Sequence, residues 1–280
     1  MAARRIVPAR VRSFDAHGEV SAGPDRLAGE EPLEIRLDGE QFTVTMRTPG
    51  DDFELVAGLL LSEAVITRIS HVVKMDYRSG VDQDGHRTYN VVDVRLAPDA
   101  PGPRRGAQRQ VFTSSSCGVC GTPSLDSVLK PSAYPVALPH PLVSAARVVS
   151  LPDELRRHQR VFDATGGVHA AALFPASGGD ALVAREDVGR HNAVDKVIGW
   201  ALQRELLPLH DVLLQVSARA SFELVGKAAM AGIPVLSAVS APSALAVSHG
   251  RERGVTVIGF NRRGTCNVYT HPGRISSPEA

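Results

Sequence analysis

The chain alternates apolar and polar positions in two different rhythms. In the first part, LEIRL-DG-EQFTVTMR alternates on both sides of Asp38-Gly39, a strong hairpin signal, so residues 33–47 are expected as two paired strands. TPGDDFELVAGLLLSEAVI then repeats Phe53, Val56, Ala57, Leu60 and Ala64 at helical spacing, with Asp51 placed three before Glu54 as in a capping box. HVVKMDY and YNVVDVRL read as further strands, separated by a polar turn containing Asp84-Gly85. Residues 97–109, APDAPGPRRGAQR, have no periodicity and read as an exposed connector. From Leu142 the rhythm changes. SAARVVS and PDELRRHQRVF read as helices, the second with Pro152 in its first turn. Strands are then expected at 169–174, 181–187, 211–217, 234–240 and 255–260, alternating with the helices HNAVDKVIGWALQREL, SFELVGKAAMAG and SALAVSHGRERG.

That alternation implies an α/β half with a mostly parallel sheet covered on both faces. Only PASGGD joins its first two strands, too short for a crossover, so that pair is expected antiparallel. The organisation read from the pattern is a flexible tail (1–20), a smaller β-rich N-terminal domain (21–111), a mobile loop and linker (112–134) and an α/β domain (135–280).

The last four strands are each followed by a short segment rich in hydrogen-bond donors: DVGRHN, SARAS, SAPS and FNRRG. In a parallel sheet such loops share the carboxyl edge, where ligands bind, and three of them open helices whose N-termini attract anions. Arg190, His191, Asn192, Ser217, Arg219, Ser221, Ser240, Ser243, Asn261, Arg262 and Arg263 are therefore expected to converge on one crevice. Arginine forks suit phosphates, which points to a nucleotide or another phosphorylated ligand.

Composition narrows the setting. A chain of 280 residues, 43% hydrophobic, can bury a sizeable core, and its 31 basic and 30 acidic residues leave no overall pull toward nucleic acid or an anionic membrane. The basic start MAARRIVPARVRS lacks a signal-peptide core, and no run of about 18 apolar residues occurs, so a cytoplasmic protein is expected. Three cysteines are too few for a disulfide framework. Two of them, Cys117 and Cys120, lie in TSSSCGVCGT, among small residues only. Three chemistries fit such a pair: a zinc site, which would need ligands from elsewhere; a redox disulfide, which is normally clamped at a helix start; and a carrier of persulfide sulfur, for which small neighbours and reach are useful.

The segments EEPLEIRLDG, MRTPGDDFELVAGLLLSEAVI, SSCGVCG, TGGVHAAALF, REDVGRHNAVDKVIGWAL, RASFELVGKAAMAGIPVLSAVSAPSALAV and NVYTHP together make the chain resemble the FdhD family from Glu31 onward. The resemblance implies a sulfurtransferase that carries sulfur from a cysteine desulfurase, through a cysteine persulfide, to the bis(molybdopterin guanine dinucleotide) molybdenum cofactor before its insertion into formate dehydrogenase. It implies that Cys117 holds the persulfide and Cys120 assists, and that Phe260, Asn261, Arg262, Arg263, Gly264 and Thr265 help bind the guanine nucleotide part of the cofactor. It further implies a homodimer, and a second half with the three-layer cytidine deaminase-like fold. In that fold the zinc deaminases need H-x-E and P-C-x-x-C, where this chain has His191-Asn192-Ala193 and SARAS, so deamination is excluded and no bound metal is expected. Ala218 stands where the family usually has Gly, which would cost about 1 kcal/mol if positive φ is required there. Two other readings compete: a molybdenum-cofactor chaperone without catalysis, and a zinc-stabilised, nucleotide-binding regulatory protein.

Overall fold

Ordered chain begins well before the first hairpin read from the sequence. In the computed structural model, which describes residues 4–78, 80–81, 87–103, 131–136 and 143–277, β1 (Ile6–Asp15) pairs antiparallel with β2 (Gly18–Ala28) along their whole length. The loose tail expected up to residue 20 is thus a β-ribbon; interspersed Arg, Pro and Gly had masked its alternation. β3 (Glu31–Leu37) and β4 (Glu40–Arg47) form the expected hairpin, and Asp38 and Gly39 both have positive φ (52° and 89°), as a type I′ turn requires.

Helix α1 (Asp52–Ser62) follows, but Asp51 caps nothing with its side chain. The two carboxylates expected to form a capping box are drawn to arginines instead. Asp51 pairs with Arg5, and Glu54 grips Arg185 through two bonds of 2.6 and 2.8 Å. β5 (Val72–Tyr77) leads through the short pair β6 (Gly80–Val81) and β7 (Arg87–Thr88) to β8 (Val91–Leu96); the Asp84-Gly85 turn lies outside the described residues. The N-terminal sheet has the order β4-β3-β8-β5, with β3 and β8 parallel.

After β9 (Val143–Ser144), the two expected helices are one. In α2 (Ala145–Arg156) Pro152 sits inside the helix, where it cannot donate to the carbonyl of Val148 four residues earlier. That carbonyl is satisfied from elsewhere: Asn261 Nδ2 donates to it at 2.7 Å. The proline therefore costs less here than in an isolated helix. α3 (Arg160–Thr165) ends on Gly166 at φ 65°, and the second half continues as β10 (His169–Pro175), β11 (Val183–Asp187), α4 (Arg190–Gln203), β12 (Val212–Val216), α5 (Phe222–Met230), β13 (Val235–Ala238), α6 (Ala244–Arg253), β14 (Thr256–Arg262), β15 (Thr265–Val268) and β16 (Ile275–Ser276).

The main sheet has the order β11-β10-β12-β13-β14-β15 and is mixed, which corrects the expectation of a mostly parallel sheet. β10 runs against both of its neighbours, and β15 folds back on β14, so only β12, β13 and β14 are parallel neighbours. The cause is the short PASGGD link, which makes β10 and β11 the expected antiparallel pair and leaves β10 wedged between β11 and β12. Two reversals restore direction, so β11, β12, β13 and β14 all point the same way.

Helices cover both faces of this sheet. Val148, Leu151 and Leu155 of α2 pack on Phe174, Leu213 and Val235, while α4 and α5 pack on Leu214 and Leu236. The latter core continues without a break into Leu55, Leu33, Ile35 and Val92 of the N-terminal sheet and α1. Helices α1 and α4 cross backbone to backbone at two glycines. A Cβ on Gly199 would lie 1.8 Å from Glu54 O, and one on Gly58 1.9 Å from Asp195 O.

Candidate functional site

Because β11 to β14 share a direction, the four donor-rich loops stand along one edge of the sheet. α4 opens there with Arg190 and His191, and Arg219 is exposed in the turn after β12. Ser221 precedes α5, and Ser243 caps α6 by accepting from Ala246 N at 3.2 Å. The fourth loop is a hairpin tip rather than a helix start: Arg263 (φ 55°) and Gly264 (φ 76°) turn the chain so that Arg262 pairs with Thr265. Arg262, Arg263, Gly264 and Thr265 are all exposed. Phe260 is also left-handed (φ 51°), a conformation that costs about 1–2 kcal/mol in a residue with a side chain. Its N–H donates to Ser240 O at 3.1 Å, and the Arg262 guanidinium lies 5.5 Å from its ring centre.

Reversal of β10 brings its first residue to the same edge. His169 therefore joins the site, with Gly166 and Gly167 just before it, and Ser217 Oγ accepts from Ala170 N at 2.9 Å to tie β10 to the end of β12. Arg190 and His191 stand close enough to add to the effect of burial in lowering the His169 pKa.

Behind Arg190 lies a line of charges joining α4 to α5. His191 Nε2 is 3.8 Å from Glu223, and Lys227 holds Asp195 at 2.7 and 2.8 Å, with Ser62 Oγ donating to the same carboxylate at 3.0 Å. Burial pushes the His191 pKa down; Lys227 and Arg190 add to this, and Glu223 opposes it. Glu223 is itself pulled down to about 2, chiefly by the His191 ring beside it. His191 Nε2 and Ser221 Oγ are buried atoms without a hydrogen bond of ordinary length. Each such atom costs about 1–3 kcal/mol unless something else satisfies it. The edge thus gathers two histidines, a buried hydroxyl with no short hydrogen bond and several exposed arginines. From the sequence, His169 was expected only as the first residue of a strand, and Glu223 and Lys227 only as members of the helix SFELVGKAAMAG.

Two residues of the expected set turn inward. Asn192 is buried and donates to Met46 O (2.7 Å) and to Asp187 Oδ1 (3.0 Å), fastening α4 to β4. Asn261 is fully buried and donates to Val148 O and, at 2.8 Å, to Ser237 Oγ. Neither side chain reaches the crevice. Ala218 is buried and is not among the residues of positive φ, so the alanine carries no backbone strain.

Cys117 and Cys120 lie outside the described residues, but the chain on either side of them is anchored. Gly102 N donates to Val65 O (3.1 Å), and Tyr134 OH to Thr67 O (2.6 Å). Ser132 Oγ donates to Met230 O (3.2 Å), and Pro135 O lies 3.3 Å from His210 Nε2. Met230 and His210 precede β13 and β12, so residues 131–136 sit at the amino edge, opposite the crevice. Cys266 on β15 is half-buried, and burial pushes its thiol pKa up. Among the described residues no three His, Cys, Asp or Glu side chains could together hold a metal ion, and no helix is long and apolar enough to cross a membrane.

Comparison with known proteins agrees with these motifs. Residues 28–276 match the model of the FdhD/NarQ family. The sulfur carrier protein FdhD of Mycolicibacterium paratuberculosis is 54% identical over 258 residues, 92% of this chain and 94% of that protein. That of Sulfurisphaera tokodaii is 42% identical over 272 residues, 95% of this chain and 98% of that protein. A crystal structure from Desulfotalea psychrophila, reported as a candidate formate dehydrogenase accessory protein, superposes with a TM-score of 0.72 over 98% of this chain and all of that one; at 23% identity it speaks for the fold alone. With a family model matched over nearly its whole length and relatives of more than half identical residues, the chain belongs to the FdhD/NarQ family, that of the FdhD sulfur carrier proteins.

Proposed function

We propose that this protein is a cytoplasmic sulfurtransferase that takes sulfur from a cysteine desulfurase and delivers it to the bis(molybdopterin guanine dinucleotide) molybdenum cofactor destined for formate dehydrogenase. The Cys117 thiolate attacks the outer sulfur of the donor's persulfide, releasing the donor thiolate and leaving a persulfide on Cys117. Cys120 then attacks the inner sulfur and expels the outer one as hydrosulfide, and a Cys117–Cys120 disulfide remains. The acceptor, as substrate, is held at the carboxyl edge: the exposed Arg262-Arg263 tip and Arg219 take its phosphates, with Arg190 behind them and the Phe260 ring beside Arg262. The protein is read as a homodimer, and its second half as cytidine deaminase-like, which helices on both faces of the main sheet support.

The observation that carries this reading is the shared direction of β11 to β14, which lines up four donor-rich loops for one phosphorylated ligand. Covalent length permits the thiols to serve that edge. Cys120 is 131 − 120 = 11 residues from Pro131, a reach of up to about 36–40 Å, against roughly 17 Å for the five residues of β12.

Mass spectrometry after incubation with a cysteine desulfurase and cysteine tests the thiol half: a gain of about 32 Da per sulfur is expected on Cys117, and its absence counts against a carrier and for a cofactor chaperone. Cys117→Ala should leave a folded protein that no longer supports formate dehydrogenase. Full activity in such a strain sinks the proposal.

A further inference from the structure

Arg190, Arg219, Arg262 and Arg263 stand in the donor-rich loops of the carboxyl edge, and phosphates account for them. Acids at the same edge need a different reason, because a carboxylate repels a phosphate. In the four loops and the residues beside them three occur: Glu186, Asp187 and Glu223. Two are already occupied. Asp187 is fully buried among Thr48 N, Gly189 N, Asn192 and Lys196, and Glu186 accepts from Val161 N and Phe162 N, both at 2.8 Å. Glu223 is the exception. Its side chain is 20% exposed, the His191 ring approaches it only to 3.8 Å, and Lys227, one turn further on, is turned to Asp195 instead.

This carboxylate stands on a fixed support. Phe222 beside it packs on the His249 ring with centres 4.5 Å apart, and Leu224 and Val225 are fully buried, so the start of α5 is pinned. Held at a pKa of about 2, chiefly by the His191 ring, Glu223 stays ionised and can only accept. The His191 ring, its own N–H and the Ser221 hydroxyl lie around it, and a carboxylate has about four acceptor positions.

We propose that Glu223 selects guanine, accepting from N1–H and the 2-amino group of the base while the phosphates lie against the arginines. The inference rests on the reading of the carboxyl edge as a nucleotide site and adds the residue that chooses the base. A carboxylate pairs best with two adjacent donors. Guanine presents N1–H beside its 2-amino group, whereas adenine and cytosine set an amino group beside a ring-nitrogen acceptor, and uracil sets one N–H between two carbonyls. Guanine O6, next to N1, then falls toward the start of α5, whose first N–H groups no side chain caps. Spacing agrees. One strand, β13, separates β12, which leads into α5, from β14, which carries Arg262, so the helix start and the arginine tip are two strand spacings apart, about 10 Å. A nucleoside diphosphate laid along the edge bridges that gap, with its base at one end and its pyrophosphate at the other.

Calorimetry on the full chain with guanosine, inosine and xanthosine diphosphates tests this. Wild type is expected to bind the guanosine form at least tenfold more tightly than the inosine form, which lacks the 2-amino group, and than the xanthosine form, which has a carbonyl there. Glu223→Gln should reverse the order, because its amide N–H suits that carbonyl and its oxygen still accepts from N1–H: guanosine diphosphate at least tenfold weaker, xanthosine diphosphate at least tenfold tighter. If Glu223 only holds His191, the variant weakens both ligands alike, and that result overturns the proposal. Retention of the wild-type order by the variant does the same. So does equal affinity of wild type for the guanosine and inosine forms, a measurement that needs no variant. A wild type that binds none of the three overturns the nucleotide site itself, and none of these results bears on persulfide formation.

Discussion

Helix α4 treats polar groups in opposite ways at two places only about one to two turns apart. Around its crossing with α1, between Asp195 and Gly199, every strong group has a protein partner. Asp195 is bonded by Lys227 and Ser62, Lys196 is held by Asp187 (2.7 Å) and Thr48 O (2.9 Å), and glycines bring the backbones into contact. At the helix start, the His191 ring on α4 meets Glu223 only at 3.8 Å, and Ser221 Oγ, just before α5, makes no hydrogen bond of ordinary length. Satisfied polar groups in a closed core fix a unique arrangement, whereas loosely partnered ones at an open edge can still take up a further bond. The comparison separates what assembles this molecule from what it holds in reserve.

If that division is right, the crossing should be fragile and the edge tolerant. The largest effect is expected from Lys196→Met, which leaves the fully buried Asp187 carboxylate without its cation. Breaking a buried pair from one side costs about 3–5 kcal/mol. Urea unfolding should show a correspondingly lower midpoint. A loss under 1 kcal/mol would mean that the backbone N–H of Thr48 and that of Gly189 suffice for Asp187. Gly199→Ala comes next. Its methyl would meet the carbonyl of Glu54 and the amide of Gly58, both backbone, so the helices must part. Overpacking of this kind costs about 1–3 kcal/mol. Stability equal to wild type would show that α1 can slide on α4.

How much of this was legible in the sequence depends on how local each cause is. The 33–47 hairpin was readable because alternation and an Asp-Gly turn are properties of adjacent residues. The shared edge was readable because helical links between successive strands imply crossovers that keep those strands pointing one way, even though the sheet proved mixed. Asn192 and Asn261 were not readable. Their side chains look identical to ligand donors, and only tertiary packing reveals that one fastens β4 and the other replaces the bond lost at Pro152. Likewise the Asp51–Glu54 spacing fits a capping box, but Arg185, more than 130 residues on, competes successfully for Glu54.

A change at the edge should separate binding from stability. Arg262→Ala with Arg263→Ala removes two exposed guanidinium groups from a hairpin tip, and surface substitutions of this kind usually stay within about 0.5 kcal/mol in stability. Charge-assisted bonds to phosphate are worth about 1.5–3 kcal/mol each, so binding of a guanine nucleotide should fall at least tenfold in calorimetry. Unchanged affinity would move the ligand away from this tip.

The smallest effect concerns protons. His71, His169, His191 and His249 all have pKa values pushed below 6.5, each first by burial. The folded protein therefore keeps them neutral where the unfolded chain would already bind protons, so their contribution is present above about pH 6.5 and is lost as pH falls below it. Glu223 behaves similarly at lower pH: held at about 2 rather than 4.5, it adds stability above pH 4.5 that disappears between those values. The melting temperature should thus drop as pH goes from 7.5 to 5.5, before any effect of Glu223. A guanine nucleotide bound against the edge should change this slope through His169 and His191, which border the crevice, and leave the share of His71 and His249 unaltered. If the slope with ligand matches the slope without it, the two edge histidines belong with the assembled interior rather than with the binding surface.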